Sequence, residues 1–192
     1  FEYELHSGNN LISFPLNLDN NTPGAIFGTD GPITNVIGEG VATTLINGSW
    51  EGSLGTISPL SGYWVNSQED ISFSISGQEI ENPTYDLHSG NNLISFPGLY
   101  EISANVALSG YENMISGVIG EGVAVSYIDA SGTWEGSLSN FQPGKGYWVH
   151  AEVNIPSFRW GGVTSDYPFP DEPGEIASNL FFTNSFYYPT DI

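Results

Sequence analysis

Residues Glu2-Tyr3-Glu4-Leu5-His6 alternate polar with apolar side chains, the period of two that a half-buried strand requires. Ser7-Gly8-Asn9-Asn10 follows with residues that tolerate positive φ, and Leu11-Ile12-Ser13-Phe14 then runs apolar into Pro15. This pattern predicts a strand, a tight turn and a returning strand, an opening hairpin. Farther on, Val36-Ile37 leads through Gly38-Glu39-Gly40 into the β-branched alternation of residues 41–46, which predicts two strands about a glycine turn. Asn47-Gly48 is a strong two-residue hairpin signal. Residues 62–66 and 71–75 supply two further strands, while residues 17–23 are polar and turn-rich.

The same pattern then starts again. His6-Ser7-Gly8-Asn9-Asn10-Leu11-Ile12-Ser13-Phe14-Pro15 returns unchanged as residues 88–97. Val36-Ile37-Gly38-Glu39-Gly40-Val41-Ala42 returns as residues 118–124, Trp50-Glu51-Gly52-Ser53-Leu54 as residues 134–138, and Gly62-Tyr63-Trp64-Val65 as residues 146–149. Blocks that recur in one order define a tandem duplication, and a residue found at equivalent places in two copies is first a feature of the fold. Asn47-Gly48 becomes Asp129-Ala130-Ser131-Gly132, a length change confined to a turn, where a β-fold tolerates it. Residues 99–114 differ from their counterparts, with Ile102, Val106 and Leu108 spaced for a short helix. The second copy closes with strands over residues 146–150 and 153–160.

The expected fold is all-β, with a short helix per repeat: two tandem homologous small domains of sandwich or barrel type, residues 1–81 and 82–162. Gly77 to Thr84 form a short linker between them. Residues 163–192 are expected to form a spacer with Pro168, Pro170 and Pro173, followed by an extended C-terminal strand.

Composition narrows the function. Hydrophobic residues make up 39% and aromatic residues 14%, too apolar for a disordered acidic chain despite a net charge of −20. Lys145 and Arg159 are the only Lys or Arg against 22 acids, so no basic patch can neutralise phosphates. Nucleic acid and anionic membrane surfaces are disfavoured as partners. No apolar run approaches the length of a membrane span, so membrane insertion is not expected. The absence of cysteine removes disulfides and thiol chemistry. Acidity combined with abundant Asn, Ser, Thr and Gly leans toward the outside of a cell, and a chain that opens on Phe1 reads as a processed product or part of a longer one.

Candidate chemistry is weak at each position. His6-Ser7 and His88-Ser89 pair an imidazole with a hydroxyl, but neighbours on a strand point to opposite faces, so a strand-end histidine before a turn is expected. His150 stands where the first copy has Asn66 and has no marked partner. Glu39 and Glu121, or Glu51 and Glu135, could supply the paired carboxylates of a glycosidase, yet each pair is split between copies. Beside glycines, they are expected to bond backbone amides in turns. Asp19-Asn20-Asn21 and Asp171-Glu172 offer hard oxygen ligands without the alternating acidic loop of a calcium site. No cofactor is therefore expected. Trp50 and Trp134 could stack on sugars, with Tyr63, Trp64, Tyr147 and Trp148 as further candidates. At least one aromatic of each Gly-Tyr-Trp-Val is expected to fill the interior. Asn20-Asn21-Thr22 and Asn47-Gly48-Ser49 match the glycosylation sequon.

One segment has no counterpart in the first copy. In an extended chain Leu180, Phe182, Phe186 and Tyr188 point one way, and Phe181 and Tyr187 the other, so the strand wants cover on both faces. Its own domains, a neighbouring subunit or a further domain could provide that cover. The repeated blocks resemble a β-domain of unassigned function found in large secreted or surface proteins of aquatic bacteria and in fibre-like proteins of their phages. Paired domains of this kind are similar to subunits of extracellular fibrils joined by a terminal strand. The resemblance implies no catalytic residue and a location outside the cell or on its surface. The leading expectation is a non-enzymatic filament subunit whose partners are copies of itself, with Leu180, Phe181, Phe182, Phe186, Tyr187 and Tyr188 as the assembly strand. The alternative is a carbohydrate-binding or adhesive module with glycans as partners.

Overall fold

In the computed structural model, residues 1–163 are described. The fold is all-β with two short helices. The first copy contains β1 (Glu2–Leu5), β2 (Gly8–Ser13), β3 (Leu16–Asn17), α1 (Pro23–Phe27), β4 (Ile33–Gly38), β5 (Val41–Ile46), β6 (Ser49–Gly52), β7 (Gly62–Ser67), β8 (Ile71–Ser74) and β9 (Gln78–Glu79). The second contains β10 (Tyr85–Leu87), β11 (Gly90–Ser95), β12 (Ile102–Ser103), α2 (Ala104–Ala107), β13 (Ile115–Ile119), β14 (Ala124–Ile128), β15 (Thr133–Gly136), β16 (Asn140–Phe141), β17 (Gly146–Ala151) and β18 (Ile155–Phe158).

Each copy builds one five-stranded antiparallel sheet, ordered β2-β7-β4-β5-β6 in the first and β11-β17-β13-β14-β15 in the second. The strand pairs about Gly40 and Asn47-Gly48 form as the sequence predicts, with Gly40, Asn47 and Gly48 all at positive φ. The opening hairpin does not form. β1 pairs with β8, and β2 pairs with β7, so the chain changes sheets at Ser7-Gly8. The reason lies in Asn10, expected in the turn but buried in β2. Its Oδ1 accepts the His6 N–H at 3.0 Å and its Nδ2 donates to the carbonyls of His6 and Gly8, so one side chain supplies the bonds a facing strand would have made. Asn92 repeats this in the second copy.

The β1–β8 ribbon covers the inner face of the first sheet, where Tyr3 and Leu5 meet Ile12, Phe14, Val36, Tyr63 and Val65. The β10–β18 ribbon does the same in the second, with Tyr85, Leu87, Ile155 and Phe158 over Phe96, Val118, Tyr147 and Val149. Each copy therefore has its own core of buried aromatic and branched residues, the main source of its stability. The predicted helix of residues 99–114 shrinks to the single turn of α2. The first copy has its own short helix, α1, just after the turn-rich stretch, where Thr22 accepts the Ala25 N–H and Pro23 starts the turn. Part of the linker is strand, since β9 pairs with β3.

Candidate functional site

The side chains with the most chemistry meet where the two copies face one another. β2 and β11 are sheet edges, and an edge leaves every second backbone N–H without a strand partner. In this molecule each copy caps the other's edge. Glu121, at the tip of the β13–β14 turn, accepts the Leu11 N–H through Oε2 at 2.9 Å, and its Oε1 lies 2.7 Å from His6 Nε2. Glu39, at the tip of the β4–β5 turn, accepts the Leu93 N–H through Oε2 at 2.8 Å, with Oε1 2.8 Å from His88 Nε2. The next outward donors are met by carbonyls: Ser13 N–H by Gly144 at 2.8 Å and Ser95 N–H by Leu60 at 3.1 Å. Contact i-to-j is repeated as j-to-i, the signature of a two-fold relation, here within one chain.

Glycines sit near the centre of this seam. A Cβ on Gly62 would stand 3.2 Å from Gly146 Cα and 2.8 Å from Leu93 Cδ1, and one on Gly146 would stand 2.7 Å from the Ile12 carbonyl oxygen. Only a residue without a side chain lets the two backbones approach so closely. Leu11 and Leu93 belong to neither core, yet are 0% and 3% exposed. The seam buries them.

Each seam histidine has oxygen on both sides. His6 Nδ1 is 2.7 Å from the Ser7 carbonyl, and His88 Nδ1 is 2.8 Å from the Ser89 carbonyl. Two acceptors are satisfied together only by an imidazolium. The backbone bond first, and the glutamate second, hold both pKa values above the usual histidine range. Lys145 Nζ adds a longer contact of 4.0 Å to Glu121 Oε2. Ser61 occupies the equivalent place in the first copy and offers no charge to Glu39.

The remaining candidates fall elsewhere. The Ser7 and Ser89 hydroxyls donate to the carbonyls of Gln68 and Glu152, so neither faces its neighbouring imidazole. Glu135 accepts from Ser131 and Thr133 within its turn, and His150 Nδ1 lies 2.7 Å from Asn91 Oδ1. Asn20 Oδ1 accepts from Thr22, and Asn21 Nδ2 donates to the Ile57 carbonyl, so the Asp19-Asn20-Asn21 stretch shapes a turn. Among the described residues no cluster of three or more His, Cys, Asp or Glu could hold a metal ion.

Tyr63 and Tyr147 are buried, and their partner tryptophans, Trp64 and Trp148, lie half-buried on the outer sheet faces. Trp50 is half-buried against Phe27 and donates through Nε1 to the Gly28 carbonyl at 2.7 Å. Trp134 is 5% exposed, so it presents no open ring face to a sugar. Asp171, Glu172 and the assembly strand Leu180, Phe181, Phe182, Phe186, Tyr187 and Tyr188 lie outside the described residues.

Sequence reasoning placed Glu39 and Glu121 in turns bonding backbone amides, and they do bond amides, but those of the other copy. The available signal was the coincidence of a glycine-flanked turn glutamate and a strand-end histidine in both copies. Compared with protein-family models, with curated proteins and with solved structures, the chain matches none.

Proposed function

We propose that the chain is a non-enzymatic structural subunit of an extracellular filament, joined head-to-tail by insertion of a terminal β-strand into a neighbouring subunit. The observation that carries this reading is the seam. His6, His88, Glu39 and Glu121 are spent on holding two β-domains together, through contacts that cap two sheet edges. What remains open supports addition of a strand. Among the described residues β6 pairs only with β5 and β15 only with β14, and the β1–β8 and β10–β18 ribbons are two-stranded. An incoming strand gains backbone hydrogen bonds from such an edge and register from alternate side-chain pockets. In this reading the donor is the segment with Phe182 and Phe186, the acceptor belongs to the next copy, and a contact between unlike surfaces propagates rather than closing.

The test is electron microscopy with sedimentation on the whole chain and on a chain ending at Gly174. Fibres from the first and folded monomers from the second are the expected outcome, as is loss of fibres in a Phe182→Ser, Phe186→Ser variant. Monomers from both would overturn the filament reading. Fibres from both would remove the terminal strand as the donor.

A further inference from the structure

Beside the seam, on the second copy, the structure places a polar cleft that the filament reading does not use. Its volume is about 380 Å³, within the range of small-ligand sites. Glu101, Glu121, Asn140, Gln142 and Lys145 line it, over a wall that includes Val123, Leu138 and Tyr147. Lys145 is one of only two Lys or Arg residues in a chain of formal net charge −20, and it stands in this cleft.

The hydrogen bonds already made define what the cleft can accept. Gln142 Nε2 donates to Glu101 Oε1 at 3.0 Å, and Asn140 Nδ2 donates to Glu101 Oε2 at 3.3 Å. Each amide spends one of its two N–H protons on Glu101, so each still offers its carbonyl oxygen and one N–H to a ligand. Two carboxylates and two amide oxygens make the cleft rich in acceptors. Further donors come from the Lys145 ammonium and the Tyr147 hydroxyl, which accepts the Gln142 backbone N–H at 2.9 Å. Burial, the largest effect, pushes the Tyr147 phenol up to about 12, so it keeps its proton to give. A ligand that answers several acceptors and several donors at once, across a short apolar wall, carries adjacent hydroxyls on a saturated sugar ring.

The first copy acts as an internal control. Glu39, Val41, Ser53, Leu54 and Tyr63 reproduce the shared framework of the cleft. The differences are Asp19 for Glu101, Gly55 for Ser139, Thr56 for Asn140, Ser58 for Gln142 and Ser61 for Lys145. Each change in the second copy lengthens a side chain or adds a hydrogen-bonding group, and each lies on the cleft. The β12–β16 pair, Ile102 opposite Phe141 and Ser103 opposite Asn140, brings Glu101 alongside the two amides.

We propose that this cleft binds one neutral saccharide unit, with Glu101, Glu121, Asn140 and Gln142 accepting from its hydroxyls and Lys145 and Tyr147 donating to them. The formal charge of the lining, two carboxylates against one ammonium, selects against uronic and sialic acids. This site is separate from the tryptophans and independent of whether the chain polymerises.

The experiment is a ¹H–¹⁵N NMR titration of the whole chain with methyl glycosides of glucose, galactose and mannose, with glucuronate as the anionic control. Saturable shifts confined to residues around Glu101, Glu121 and 137–147 are expected for at least one neutral sugar, with a Kd on the order of 1 mM. An Asn140→Thr, Gln142→Ser, Lys145→Ser variant carries residues that the first copy already accommodates, and should bind at least about tenfold more weakly with the rest of its spectrum unchanged. Glu101→Gln, at an exposed position, serves as the second variant and should also weaken binding. No saturable shift from any neutral sugar at about 100 mM, a hundredfold above that Kd, would overturn the proposal. So would unchanged affinity in both variants. Glucuronate binding as tightly as the neutral sugars would overturn it as well, by reducing the site to an anion contact on Lys145.

Discussion

The two copies share a fold but not every role, and their identical stretches are those with two jobs. In the ten-residue block, Ile12 and Phe14 fill the core, while His6 and Leu11 face the other copy. The same division holds for residues 88–97. A residue there cannot drift for one face without disturbing the other. Residues 17–23 and 99–105 answer mostly to their own copy, and they differ. Gly144 and Leu60 show the difference at the seam's rim. Leu60 packs against the second copy's core, whereas a Cβ on Gly144 would meet the Phe1 ring. The two copies present equivalent faces, and they differ at Lys145 and the cleft around it, where the first copy has Ser61.

The largest effects should come from the glycines, which separate copy stability from seam stability. Gly52 (φ 153°) and Gly136 (φ 158°) lie in backbone that side chains rarely adopt, and a Cβ would collide with the Ala42 and Ala124 carbonyls respectively. Gly52→Ala and Gly136→Ala should each cost about 2–4 kcal/mol in chemical denaturation. Near-equal costs are expected, because the two environments match. Gly146→Ala instead presses on the Ile12 carbonyl across the seam, at a cost of about 1–3 kcal/mol. Its NMR shift changes should cluster at both faces of the seam rather than in either core. Changes spread through the second core alone would mean that the seam is not what Gly146 serves.

The glutamates come next. Replacing Glu121 by Ala strands the Leu11 N–H at a part-buried edge, at a cost of about 1–2 kcal/mol. Glu39→Ala strands Leu93 in the same way. Glu121 is the less exposed of the two, 26% against 40% for its side chain, and has Lys145 nearby, so its loss should cost more. Lys145→Ser should narrow that gap, and a double-mutant cycle with Glu121→Ala measures the difference. Equal losses that ignore Lys145 would make the two halves of the seam energetically alike.

Much of this was legible along the chain, for reasons that also mark what was not. Alternation and turn chemistry report on local structure, so β4, β5, β6 and the turn at Asn47-Gly48 could be read directly. The block at His6 misled because Asn10 is a turn residue by type, yet uses its amide to replace a missing strand neighbour. The seam leaves almost no periodic trace. It rests on edge N–H groups, two glycines and two turn glutamates, none of which differs in type from ordinary turn residues. Only their repetition at equivalent places gave a sign. The cleft was visible just as departures between copies at Glu101, Asn140, Gln142 and Lys145, whose convergence depends on the β12–β16 pairing.

Acidity should tighten the seam modestly. His6 and His88 have folded pKa values raised above the unfolded one, so protonation favours the closed seam. The contribution is complete below the unfolded pKa of about 6.5 and fades as pH rises through the folded values. Seam amide exchange should therefore accelerate as pH is raised from about 6 to 9, beyond the intrinsic rate change measured at core amides. His6→Gln, His88→Gln should flatten that extra dependence. Persistence of the full dependence in the double variant would assign it to other groups.

The smallest and most discriminating contrast concerns one indole proton. Trp50 and Trp134 occupy the same place in the repeated Trp-Glu-Gly-Ser-Leu block, yet Trp50 Nε1 donates to the Gly28 carbonyl at 2.7 Å, while Trp134 Nε1 has no partner among the described residues. The cause is the unequal segment before β4 and β13. α1 ends at Gly28, which offers its carbonyl, whereas α2 ends at Leu108, and Asn105 instead bonds the Trp134 backbone N–H and carbonyl. An unpaired buried donor costs free energy that an apolar ring of similar shape avoids. Trp134→Phe loses some ring area but relieves that penalty; Trp50→Phe loses area and a hydrogen bond together. Trp50→Phe should therefore be the more destabilising, by about 1 kcal/mol, although Trp134 is the more deeply buried ring. Thermal denaturation of the two variants side by side decides it. The reverse order would mean that buried area, not the orphaned proton, sets the energetics at this position of the repeat.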